Sequence, residues 1–293
     1  MTTHVSRRAQ ALALAFLLAG TPTASASLIA VNYDSGELYS VSTADATLSL
    51  IGSTGLPARL TNLEFFDGSL YGFTSNTVVP TDPARLYRIN LNDGHTAIDS
   101  ITTVGELGLT TVFEGGLAIA PDGRAYGVNE NSPTVPGLFS IDLSTGAATR
   151  IGTISGGSHD IGGLSWRSDG MLIGLDRSSK SLLVIDPSNA AATVLAPVVP
   201  AIGLIGGLVI TEQVSYFATA GTGYPPSVQG SNGLYSFDPF TGEVVEFVGN
   251  FNLPIGGTQE GISGLAFIPE PSSVVLMLIG ASALIRRRAR RSI

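Results

Sequence analysis

Gly116-Leu-Ala-Ile-Ala-Pro-Asp-Gly-Arg-Ala-Tyr-Gly-Val128 reads as strand, tight turn, strand. Two short apolar runs flank a Pro-Asp-Gly step, and that step reverses the chain within a few residues. The phrase returns as Gly163-Leu-Ser-Trp-Arg-Ser-Asp-Gly-Met-Leu-Ile-Gly-Leu175. Weaker copies are Asn62-Leu-Glu-Phe-Phe-Asp-Gly-Ser-Leu-Tyr-Gly-Phe73 and Gly207-Leu-Val-Ile-Thr-Glu-Gln-Val-Ser-Tyr-Phe217. A fifth copy is split: Gly264-Leu-Ala-Phe-Ile268 supplies its first strand and Leu28-Ile-Ala-Val-Asn32 its second.

A second phrase alternates with the first, as Leu38-Tyr-Ser-Val-Ser, Leu86-Tyr-Arg-Ile-Asn, Leu138-Phe-Ser-Ile-Asp, Leu182-Leu-Val-Ile-Asp and Leu234-Tyr-Ser-Phe-Asp. In the last four the fifth residue is Asn or Asp and a turn follows, such as Asn92-Asp93-Gly94, Ser144-Thr145-Gly146 or Phe240-Thr241-Gly242. Two hairpins per repeat make four strands, the unit of a propeller blade. The split copy lets the last strand pair with the first, which closes a circle without leaving a free edge. The expected fold is all-β, a five-bladed β-propeller over 27–268 with roughly 45–50 residues per blade. A sixth blade follows if the loop around Gly221–Gly230 hides a degenerate hairpin.

Composition narrows the function. Seven of the 15 Lys/Arg residues and one of the 23 Asp/Glu lie outside 27–268. That leaves 8 basic against 22 acidic groups in this segment, a net charge of −14. Nucleic acid, which demands a basic footprint, is excluded as a partner. The chain has no cysteine, so disulfides, thiol catalysis and cysteine-type zinc are excluded, and the core or a metal must hold the domain.

The two ends carry addresses. Arg7 and Arg8, a short apolar run from Ala9 through Ala19 and the small-x-small step Ala24-Ser25-Ala26 predict a signal peptide over 1–26, cut by signal peptidase after Ala26. The run is too short to span a bilayer, which takes about 20 residues. At the other end stand Pro269-Glu270-Pro271, an uncharged stretch from Val274 to Ile285, and the cluster Arg286, Arg287, Arg288, Arg290 and Arg291. This order resembles the PEP-CTERM sorting signal of Gram-negative bacteria. The resemblance implies a tail over 269–293 that anchors the precursor transiently in the inner membrane as a short transmembrane helix, with its arginines cytoplasmic. It also implies removal near Pro269 by an exosortase-type enzyme, and a mature protein in the envelope or extracellular matrix, in the company of extracellular polysaccharide.

The blade phrases are loosely similar to bacterial propellers of the SMP-30/NHL type. In lactonase-type members a glutamate before the first strand, here Glu114 in Phe113-Glu114-Gly115-Gly116, helps hold a catalytic metal. Glu114, Asp160 and Glu260 all precede first strands, where three carboxylates around an axis could hold Ca²⁺. Asn129 and Asp176, ending second strands, are weaker candidates, and no other cofactor is indicated. The alternative is that these carboxylates are loop residues or turn caps.

Of three histidines, His4 leaves with the signal peptide, His95 falls in a hairpin turn, and His159 reads as a polar loop residue. Trp166 and the repeat tyrosines could stack on sugars, though their strand positions favour packing between blades. No nucleophile elbow, zinc helix or phosphate loop occurs. The expectation is therefore an exported, non-catalytic binding or structural propeller. The alternative is a metal-dependent lactonase or esterase-like hydrolase with a central Ca²⁺.

Overall fold

The computed structural model describes residues 27–57, 59–76, 82–112, 115–129, 136–197, 204–211, 215–220, 232–253 and 261–269. Glu114, Glu260, the 221–230 loop and the processing segments before 27 and after 269 lie outside them. Among the described residues no helix is long and apolar enough to cross a membrane.

Among the described residues, twenty strands pair antiparallel in five sheets of four. The first blade begins with β1 (Ser27–Asn32), β2 (Glu37–Val41) and β3 (Leu48–Ser53). The second holds β4 (Glu64–Phe66), β5 (Ser69–Phe73), β6 (Arg85–Leu91) and β7 (Ile98–Glu106); the third holds β8 (Leu117–Ile119), β9 (Ala125–Asn129), β10 (Gly137–Ile141) and β11 (Ala148–Thr153). The fourth holds β12 (Ile161–Trp166), β13 (Leu172–Asp176), β14 (Ser181–Ile185) and β15 (Ala192–Pro197), and the fifth β16 (Leu204–Ile210), β17 (Ser215–Ala220), β18 (Gly233–Phe237) and β19 (Val244–Asn250). β20 (Ile262–Ile268) returns to pair with β1, Ser27 facing Ile268 and Ala30 facing Leu265. The fold is the five-bladed propeller expected, closed as the split repeat requires.

The period of two explains why strands are apolar on both faces. On β1, Leu28 and Ala30 enter the core shared with the fifth blade, while Ile29 and Val31 enter the core shared with the second. The repeated leucines Leu38, Leu86, Leu138, Leu182 and Leu234 are each wholly buried against the following blade. Tyr39, Leu183 and Tyr235, one position on, face the preceding one.

Where each third strand pairs with its outer neighbour, the register slips at one equivalent step: Leu38/Tyr39, Leu86/Tyr87, Leu138/Phe139, Leu182/Leu183 and Leu234/Tyr235. The residue left unpaired is Ile51, Val104, Ile151, Leu195 or Val248, and each turns onto the core of the following interface. A bulge thus re-aims one apolar side chain from an exposed strand, and it also disrupts the sheet edge. In the second blade the turn cap differs from expectation. β6 runs on through Leu91, so Asn92 caps the turn, and Asn90 instead bonds Ser69 and Ser100 on neighbouring strands.

Innermost strands β4, β8, β12, β16 and β20 lie side by side around the axis. They meet through glycine. A methyl group at Gly116 would overlap the Leu164 backbone. At Gly163 it would lie 2.7 Å from Leu208 Cβ, at Gly207 2.7 Å from Leu265 N, and at Gly264 2.6 Å from Leu63 N. Asn62 takes the glycine's place in the second blade and closes the ring through its side chain, Nδ2 donating to Gly115 O at 3.0 Å.

Gly207→Ala should therefore cost about 3 kcal/mol, because the obstructing atoms are backbone. Gly52→Ala, whose new methyl would lie 3.5 Å from the end of Ile98, should cost a few tenths at most. Chemical denaturation of the two variants checks the contrast; equal losses would refute the close-approach account.

Candidate functional site

The loops between second and third strands share one face of the propeller with the crossings between blades. The hairpin turns occupy the other. On the loop face, the residue after the partner of each repeated leucine is polar and buried: Asn32, Thr74, Asp176 and Thr219. Asn32 Oδ1 accepts from Asp34 N and Ser35 N, Thr74 Oγ1 from Arg85 N, and Thr219 Oγ1 from Gly233 N. These side chains cap backbone groups that the turn leaves unpaired. Asn129 holds the equivalent position in the third blade.

Asp176 is the charged version of this cap. Its side chain is 0% exposed. Oδ1 accepts from Asp160 N at 2.9 Å, Ser178 N at 3.0 Å and Ser178 Oγ at 2.7 Å; Oδ2 accepts from Ser179 Oγ at 2.6 Å and contacts His159 Nδ1 at 2.9 Å. Burial pushes its carboxyl up, but these donors outweigh burial and hold it down at about 2. His159 is a loop residue as expected, yet its side chain is only 7% exposed. Its Nε2 lies 3.1 Å from Ser155 O.

The Asp, His and Ser here are not a hydrolytic triad. Ser179 bonds Asp176 rather than the imidazole, and the outer ring nitrogen faces a carbonyl instead of a nucleophile. Asp160, the described member of the expected metal set, pairs with Arg177 through Nε at 2.8 Å and also through Nη2. Among the described residues no group of three His, Asp or Glu is placed to hold a metal. The blade-four cluster staples segment 155–160 to the turn at 177–181.

Glu64 is an ionisable group in an innermost strand, at a position where the other blades carry Ala118, Ser165, Val209 and Ala266. Ser165 Oγ accepts from Ile210 N of the next blade at 3.0 Å, and Glu64 accepts from the matching Ile119 N. Both side chains satisfy an amide at the edge of the next innermost strand. Water reaches part of Glu64, but protein surrounds it closely, and burial raises its carboxyl to about 8 against a bonus from the Phe65 and Ile119 amides. Comparing the five copies position by position would have singled it out.

On the hairpin face a groove of about 800 Å³ opens beside the fourth and fifth blades, lined by Trp166, Arg167, Ile210, Ser215, Phe240 and Val245 among others. Trp166 stacks on Tyr126, ring centroids 5.9 Å apart, and packs on the core between the third and fourth blades, as expected for inter-blade packing; its remaining surface joins the groove. Arg167 is bound by both nitrogens Nε and Nη2 to Asp169, donates from Nη1 to Pro239 O at 2.9 Å, and lies over the Phe240 ring at 4.9 Å. Phe240 is 54% and Val245 71% exposed.

No protein-family model matches the chain, and neither does any curated protein. Solved structures do. A chain of a nidogen/laminin complex is similar at TM-score 0.52 and 11% identity, covering 84% of this chain and 99% of that one. A protein of unknown function from Bacteroides caccae gives 0.50 at 11% identity, with coverage of 84% and 99%. Another from Bacteroides thetaiotaomicron gives 0.50 at 14%, with 80% and 67%. At such identities the likeness is one of fold alone.

Two pH effects follow. Glu64 keeps its proton when folded up to about 8 but loses it near 4.5 when unfolded. Stability present below about 4.5 should fall through that window by at most about 1.4 kcal/mol per pH unit. Glu64→Gln should flatten the loss, read as melting temperature against pH. Asp176 runs the other way: its contribution is complete above its ordinary value of 3.8 and lost as pH falls through about 2. Asp176→Asn should cost about 2 kcal/mol at pH 7 and speed hydrogen exchange at the Asp160 and Ser178 amides.

Proposed function

We propose that this chain is an exported, non-catalytic binding or scaffold propeller of the Gram-negative envelope or extracellular matrix, sorted by an exosortase-type enzyme. The observation that carries the binding reading is the groove on the hairpin face, where an exposed phenyl ring is held in place by an arginine that is itself fixed. Concave, mostly apolar surfaces with a few fixed polar groups are the usual form of ligand sites. The polar groups of the fourth blade support the non-catalytic reading, since each is spent on another protein group.

Export rests on the two ends. Ser27, directly after the cut expected at Ala26, already lies in β1, and β20 ends at Ile268, directly before Pro269. Both trims would leave the closing pair whole, with Ser27 still facing Ile268. Extracellular polysaccharide is a candidate partner on the company such sorted proteins keep.

The test is intact-mass analysis of the chain recovered from a Gram-negative host with and without an exosortase. The expected product starts at Ser27 and, only with the exosortase, ends near Pro269-Glu270-Pro271. Replacing Arg286, Arg287 and Arg288 by Ser should leave the tail on. A cytoplasmic product retaining both ends would overturn the reading.

A further inference from the structure

The two segments that carry addresses leave the propeller from one place. In the second, third and fourth blades, short turns at 67–68, 120–124 and 167–171 join the first strand to the second on the hairpin face. In the first blade β20 and β1 fill these places and no turn joins them, so the chain enters at Ser27 and leaves at Ile268 side by side. Ile268 stands three residues beyond Leu265, as Arg167 and Thr211 stand beyond Leu164 and Leu208 at the ends of their innermost strands. Arg167 and Thr211 line the groove. The exit and the groove therefore open on the same face, beside the axis.

That position limits what an anchored chain can present. Five residues, Pro269 to Ser273, separate Ile268 from the apolar stretch that opens at Val274. Whatever path they take, they reach at most about 18 Å. A compact domain of about 240 residues is about 45 Å across. Held beside its axis by a tether shorter than its own radius, the domain can neither lie on its side nor turn its loop face to the bilayer.

We infer that the hairpin face is the side held against the bilayer headgroups in the anchored precursor, and that removal of the tail uncovers the groove. The inference rests on the tail reading above and adds an order of events to it: cleavage first, binding second. The loop face, with its Asp176 cluster, stays open throughout. Apposition comes from the tether rather than from insertion of the exposed Phe240 and Val245. Asp238 and the arginine-paired Asp122 and Asp169 stand on the same face, which suits a neutral headgroup layer better than an anionic one.

Trp166 lines the groove and is the chain's single tryptophan, so its emission reports this face. The signal-trimmed precursor, residues 27–293, is reconstituted into phosphatidylcholine vesicles that contain a dansyl headgroup lipid, and energy transfer from Trp166 is measured. Strong transfer is expected. Inserting about 20 Gly/Ser residues between Ser273 and Val274 should lower it severalfold, because a flexible tether of that length lets the domain turn freely. A reporter on the loop face, Lys180→Trp in a Trp166→Phe chain, should transfer severalfold less than Trp166, and the longer tether should erase the difference. In a chain that floats with the vesicles, equal transfer from the two reporters, or transfer from Trp166 that the longer tether leaves unchanged, overturns the inference and spares the tail reading. A chain that does not float with them overturns both.

Discussion

Everything in this propeller depends on how closely five backbones can approach one axis. The innermost strands touch through Gly116, Gly163, Gly207 and Gly264, each placed against the following blade where a methyl group would strike backbone or Cβ. Asn62 closes the circuit by bonding to Gly115 O. Because the contact is backbone to backbone, the distance between blades is fixed at the centre. A second set of close approaches fixes it at the rim: Gly152 packs against Asn189 and Ala190, and Gly249 against Asp45 and Ala46. Between these limits each interface has a constant gap, filled by its own apolar cluster. The bulges then become necessary, since an outer strand in plain register would present the wrong face to that gap.

The same constraint leaves chemistry to the margins. In the wedge between blades Glu64 and Ser165 act as staples, each meeting an amide of the next blade. The fourth blade's Asp176 cluster does similar work on the loop face, joining an inter-blade crossing to a turn. Variation is least costly on the hairpin face, where a turn can change residue without moving a neighbour.

Repetition made the fold legible. Glycine-leucine steps, Asp-Gly turns and period-two alternation specify hairpins, and the halves at 28–32 and 264–268 are complementary enough to specify closure. The bulges were legible only as unexplained Ile51-Gly52, Val104-Gly105, Ile151-Gly152 and Val248-Gly249 pairs, because a register slip is a property of two strands. Asn90 misled since two added residues moved the cap to Asn92. The polar cluster was half visible. His159 and Asp160 stand out as residues, but the partners that define them, Asp176 and Arg177, are 17 positions away and meet them only through the fold.

The central claim is that the ring is held as one cooperative body by pairing β20 with β1. Thermal unfolding of a chain ending at Gly261, which lacks β20, tests it most directly against residues 27–268. The expected outcome is loss of the cooperative transition in all blades, because the first blade loses its innermost strand and its neighbours lose their fixed spacing. A truncated chain that still melts in one sharp transition near the parent temperature would contradict it.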